Sequence, residues 1–271
     1  MLGKLLKYEA KAGARLLPVV FVGMAGVFLI GLLAKALKIV QVQATTSILL
    51  VLGAVAVVIL ALVLAVLRYH KGLFGAEGYL TQTLPVSKGQ LILSKLIAAY
   101  LWIAVSVLAA VLAAAGVLYL NDVDLAPLVD GLFGRGMTPL VICGVVLFFI
   151  QLLAFFGELY FAVTLANTRA FLRNNVAFAL VFYLVANFAV GLLELAGMLL
   201  IPAGLRIGET GVSFTTDLML GSLVELSAAN TSGALISGMT IGLGSGLVDL
   251  LAGIGLLLAA RWLLMHKTSV K

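Results

Sequence analysis

The sequence predicts an all-α, polytopic membrane protein with six transmembrane helices, an N-terminal interfacial amphipathic helix and both termini in the cytoplasm. Three observations carry this expectation. Of 271 residues, 63% are hydrophobic and 10% charged, and the mean hydropathy is +1.24, so a water-soluble domain would lack the polar surface to cover itself. Apolar runs of about 20 residues recur, the length a helix needs to cross about 30 Å of hydrocarbon, and no alternating pattern of the barrel type is seen. The basic residues are also unevenly shared between the two sides. Lys4, Lys7, Lys11, Arg15, Arg68, Lys71, Lys88, Lys95, Arg169, Arg173, Arg261, Lys267 and Lys271 fall inside, against Lys35, Lys38, Arg135 and Arg206 outside. Cytoplasmic loops accumulate lysine and arginine, so this bias sets the orientation.

The first 17 residues read as the interfacial helix. Lys4, Lys7, Lys11 and Arg15 share one face, and Leu2, Leu5, Leu6, Ala12, Gly13 and Leu16 the other. Glu9 falls in the middle of the apolar face, where a carboxylate needs either a cationic partner or local hydration. The first apolar run has basic residues before it and no small-residue cleavage motif after it, which reads as an uncleaved signal anchor.

Spans are expected at about 16–34, 47–67, 96–120, 139–166, 176–200 and 238–260. The second stops at Arg68-Tyr-His-Lys71, and a polar, glycine-punctuated stretch over 68–95 follows as a cytosolic loop. Pro85 ends any helix before it, because it cannot sit in a helix interior and drives Leu84 out of the helical region. Ser87 with Gln90 three residues on forms a capping box that starts the helix running through Lys95. Residues 201–232 make a longer extracytoplasmic segment with room for a short surface helix. No repeat or linker divides the chain, so residues 1–271 read as one membrane domain.

Charges in hydrocarbon cost a few kcal/mol each on insertion scales, which singles out three acids. Glu158 shares a helical face with Gln151 and Phe155, and Glu194 shares one with Tyr183, Asn187 and Gly191. Asp249 follows Gly238, Gly242 and Gly246 on a small-residue stripe continuing to Gly253, which turns it toward another helix rather than lipid. Gln151, Glu158, Asn187, Glu194 and Asp249 are therefore candidates for a polar translocation path, or for hydrogen bonds that fix helix packing.

Other chemistries lack their residues. His70 and His266 lie at span ends, so no histidine stands at membrane depth to bind a metal or to activate Ser245, which reads as a packing serine. The lone Cys143 sits in an apolar run and has no cysteine to pair with. The formal charge of +6 is explained by orientation, and no aromatic-interleaved basic stripe exists to hold nucleic acid. No phosphate-binding G-x-x-x-x-G-K-[ST] loop occurs. The chain is expected to be no enzyme and to hold no cofactor of its own.

Glu77-Gly-Tyr-Leu-Thr-Gln-Thr-Leu-Pro-Val-Ser87, followed by Leu93-Ser-Lys95 at the root of the third span, resembles the cytosolic loop of ABC transporter permeases of the ABC-2 type. Six spans, the basic N-terminal helix, the outer segment before the last span and the basic tail extend the likeness in outline. The resemblance implies a permease subunit of an ATP-driven exporter in a bacterial plasma membrane, paired with a second permease, identical or different. It implies that 77–83 is a coupling helix docking on a separate ATPase subunit that binds ATP and magnesium. Tyr79 and Leu80 would be apolar anchors and Glu77 an ion-pair partner, with Thr81 and Leu84 completing the contact. A cationic amphipathic peptide or drug would suit the acids in the spans and those outside. The residues also admit a non-transporting immunity or sensor protein, and a proton-coupled secondary transporter working through Glu194 or Asp249.

Overall fold

The computed structural model describes residues 2–14, 16–75, 78, 86–133, 137–169, 171, 174–208, 211–222, 224 and 239–267. Six helices are long and apolar enough to cross a membrane. Alpha helices α1 to α5 cover Leu2–Gly13, Leu17–Ala36, Val40–Phe74, Lys88–Leu120 and Ala126–Phe133. Next come α6 (Thr138–Ala166), α7 (Asn175–Leu200), strands β1 (Gly204–Gly208), β2 (Gly211–Thr215) and β3 (Met239–Gly242), and α8 (Gly244–His266). Contacts divide the chain into two compact units, Met1–Ala126 and Pro127–Ser269, each holding three of the long helices.

In the first unit α3 packs along both α2 and α4, and α1 lies on α4. Pro18 in the first turn of α2 occupies a position whose N–H needs no intrahelical partner. Exposed Val19, Val22, Leu29 and Leu33 give α2 the apolar outer surface that hydrocarbon requires. Two helices exceed the expected spans. α3 has 35 residues and α4 has 33, roughly 50 Å each at the α-helical rise, against about 30 Å of hydrocarbon. The expectation that the second span stops at Arg68 is corrected, because helix continues to Phe74. The 68–95 loop correspondingly shrinks, since Lys88 to Lys95 belong to α4. Ser87 caps α4 as expected: its backbone is extended and its Oγ accepts a hydrogen bond from the Gln90 N–H at 3.3 Å.

Away from the termini, a polar network joins the ends of α2, α3 and α4. Lys35 pairs with Asp122 at 2.8 Å, donates to the Tyr119 carbonyl and lies 4.3 Å over the Tyr119 ring. Gln43 donates to the Leu120 carbonyl, and Asn121 donates to Ser47 Oγ at 3.1 Å. Lys38 (φ 57°) and Asp122 (φ 55°) each adopt the left-handed conformation that closes a helix end.

In the second unit, α6 and α8 form the most extensive interface, and α7 packs against both. Glycine permits the approach. A methyl group added at Gly157 would stand 2.8 Å from the Gly253 carbonyl oxygen, and one at Gly253 would stand 2.9 Å from the Ala154 nitrogen. At another level the Gly244 and Gly197 backbones lie against each other. The stripe expected on one helix from Gly238 is corrected: Gly242 ends β3, only Gly246 and Gly253 lie on α8 with Asp249, and Gly238 lies outside the described residues.

In the 201–232 segment a short helix was expected and a sheet was not. Its described part is chiefly β-structure, with a helical stretch at 219–222. β1 pairs antiparallel with β2 and with β3, giving the order β2-β1-β3. The alternation in Gly204-Leu-Arg-Ile-Gly208 buries Leu205, which is 1% exposed, and leaves Arg206 to pair with Asp217 at 3.6 Å. Gly211 begins β2 at φ 121°, a conformation L side chains rarely adopt.

The glycine contacts give a direct expectation. Gly253→Ala should destabilise the detergent-solubilised protein by about 1–3 kcal/mol, because backbone rather than a movable side chain must yield. Gly255→Ala, with nothing within 4 Å of the added methyl, should be neutral or stabilising in the same thermal unfolding assay.

Candidate functional site

Two groups of polar side chains stand where apolar packing alone would exclude them, one in each unit. The first lies where α1 meets the roots of α3 and α4. Lys95 is 6% exposed, and its Nζ pairs with Glu9 Oε1 at 2.5 Å. The Lys95 ammonium also donates to the Arg68 carbonyl at 3.4 Å, and the Arg68 guanidinium donates to the Glu9 carbonyl at 3.0 Å. Trp102 Nε1–H donates to the Ala10 carbonyl at 3.2 Å, and its indole lies so close to Gly13 that no side chain could replace the glycine without displacing it. A space of about 20 Å³ remains among Glu9, Arg68, Lys95 and Trp102, room for a single water. The misplaced acid of the interfacial helix has its cation.

Each charge here is legible separately in the sequence: a lone acid on an apolar helix face, and a lone lysine entering an apolar run. Their pairing was missed because they lie far apart in the chain and only the fold brings them together. The same holds for Lys35 and Asp122.

The segment between these helix roots contains the residues that the resemblance assigns to ATPase contact. Glu77, Tyr79, Leu80, Thr81 and Leu84 all lie outside the described residues. Its flanks are described: Gly75 closes α3, and the Gly78 N–H bonds to the Gly75 carbonyl at 2.8 Å.

The second group lies among α6, α7 and α8. Glu158, 2% exposed, accepts a hydrogen bond from the Asn187 amide at 3.1 Å. Asp249 on α8 is 3% exposed and interacts with Glu194 of α7 most strongly and with Glu158 next. Its Oδ1 is enclosed and has no hydrogen-bond partner. Four of the five path candidates thus converge. Gln151 does not join them, being exposed on α6 about two turns before Glu158. Phe155 stacks edge-on against Tyr183, 6.2 Å between centroids, lining the α6–α7 contact beside Glu158. Among the described residues no group of three or more histidine, cysteine or acidic side chains has the geometry to hold a metal ion.

The first unit also holds an apolar crevice of about 530 Å³ between α2 and α4, lined by Phe21, Met24, Phe28, Ala113, Gly116 and Tyr119. Its walls suit a hydrocarbon chain and offer no charged group for a headgroup except at its Lys35–Asp122 end.

Comparison with known proteins identifies no relative: no family model, no curated protein and no solved structure matches this chain.

The Glu9–Lys95 pair should show strong coupling in a double-mutant cycle. Lys95→Met, which strands Glu9, should cost about 3 kcal/mol, while Lys95→Met combined with Glu9→Leu should recover much of that loss. Denaturant unfolding of the purified protein reads both values.

Proposed function

We propose that the chain is the membrane-spanning permease subunit of an ATP-driven exporter of the ABC-2 kind, taking mechanical work from a separate ATPase subunit. The observation that carries this reading is the setting of the 75–87 segment. It joins two helices longer than a bilayer is thick, and a buried ion pair fastens the root of the second to an amphipathic helix. Force applied to the chain between two long helices is passed into those helices. That is what a coupling element requires if nucleotide-driven closure of soluble subunits is to shift a membrane domain between states.

The sequence of the segment supports the same reading. Tyr79 and Leu80 offer apolar anchors, Glu77 a charge, and Pro85 a fixed break before the Ser87 cap. ATP and magnesium belong to the partner subunit, and a second permease subunit, identical or different, completes the exporter. The chain sits in a bacterial plasma membrane with the 75–87 segment in the cytosol. Its substrate would be an amphipathic compound such as a peptide or antibiotic.

The test is purification of the chain with its associated proteins from its native membrane. A nucleotide-hydrolysing protein should accompany the wild type, and Tyr79→Ala/Leu80→Ala should lose it while keeping a monodisperse profile in detergent. Purification without any such partner would leave the immunity, sensor or proton-coupled reading in its place.

A further inference from the structure

Asp249, Glu194 and Glu158 come from three different helices, and Asn187 donates a hydrogen bond to Glu158 beside them. Asp249 is enclosed by protein on nearly all sides, and its Oδ1 reaches neither solvent nor a donor. The charged groups acting on it are Glu194 from α7 and Glu158 from α6; Glu158 acts in turn on Tyr183 of α7. The basic residues of α8 do not reach this level, because Arg261 is twelve positions from Asp249, about 18 Å along the helix.

A fully ionised arrangement would place an enclosed carboxylate without a donor beside two further carboxylates. Loss of hydration costs several kcal/mol per ion, and like charges add to it. A bound cation removes both penalties. A metal ion needs several oxygen ligands in a regular shell, and an ammonium group needs a cavity, whereas Oδ1 has no free volume beside it. The proton alone requires no space.

We propose that Asp249, Glu194, Glu158 and Asn187 form a proton-binding site, in which Asp249 carries the proton and Glu194 is the group through which it exchanges. Glu194 is half-buried and stands nearer the lipid- and water-exposed surface than Asp249. Asn187 donates to Glu158 and fixes that carboxyl beside the pair. Exchange moves one proton from the Asp249 carboxyl to the Glu194 carboxylate, with no other bond made or broken. The close glycine contacts of Gly157 and Gly253 lie one turn from Asp249, so separation of α6 from α8 would open the enclosed oxygen and release the proton. This assignment does not depend on an ATPase partner.

Infrared spectroscopy of the full chain in an ester-free detergent tests it. At neutral pH ordinary surface carboxyls are ionised, so a protonated-carboxyl C=O band that shifts on deuteration should appear in the wild type. Loss of that band in Asp249→Asn and a frequency shift in Glu194→Gln are expected. Absence of the band from the wild type overturns the proposal whatever the variants do, and so does a band left unchanged by both substitutions. If Asp249→Asn does not yield monodisperse protein, the Glu194→Gln spectrum decides, since a proton held elsewhere would not sense that side chain.

Discussion

The buried pair between Glu9 and Lys95 is the interaction on which the rest of the first unit depends. An amphipathic helix bearing Glu9 on its apolar face would otherwise set an uncompensated charge against the membrane boundary. A lysine almost wholly enclosed at the root of α4 would carry the same penalty. Their mutual attraction, with the Arg68 carbonyl as a further acceptor for Lys95, makes the two charges acceptable only together. The pair fixes α1 on α4 beside Arg68 of α3. Trp102, holding the Ala10 carbonyl and lying over Gly13, sets the same register by packing. At the opposite ends of the helices, Lys35, Asp122, Gln43 and Asn121 fasten α2, α3 and α4 once more, so the unit is bound at both ends around an apolar middle.

The second unit meets the same constraint by another route. With lipid as apolar as leucine, helices gain little from burying hydrophobic surface against each other, and close backbone approach supplies the attraction instead. Gly157 against Gly253 and Gly197 against Gly244 provide it. The approach has a chemical consequence, since it brings Glu158, Glu194 and Asp249 into one neighbourhood. Polar groups that would be prohibitive facing lipid are enclosed by protein, at the cost of having to satisfy one another.

Much of this was legible in the sequence, and the limits have physical causes. The six spans follow from runs whose hydrophobicity leaves no soluble alternative, and three begin within two residues of where those runs predict. The end of α3 was less visible, because Arg68 to Phe74 is polar enough to read as loop while remaining helical, whereas the Ser87 cap did mark the start of α4. The inward aim of Asp249 was correctly inferred from flanking glycines, although Gly242 proves to end a strand and only Gly246 and Gly253 share its helix. The small sheet was missed because its strands are only four or five residues long, and alternation over Gly204-Leu-Arg-Ile-Gly208 is a weak signal beside spans several times that length. Ion pairs between distant positions cannot be read from spacing at all, yet an isolated charge in an apolar context announces that a partner must exist.

We propose that the segment between α3 and α4 receives force from a soluble motor. A photo-crosslinking amino acid placed at position 80 and activated in living cells tests it most directly. The account predicts a crosslinked product containing a nucleotide-hydrolysing protein, with a yield that changes when ATP is depleted. A product containing no such protein, or labelling of position 80 by an impermeant reagent added from outside the cell, would contradict it.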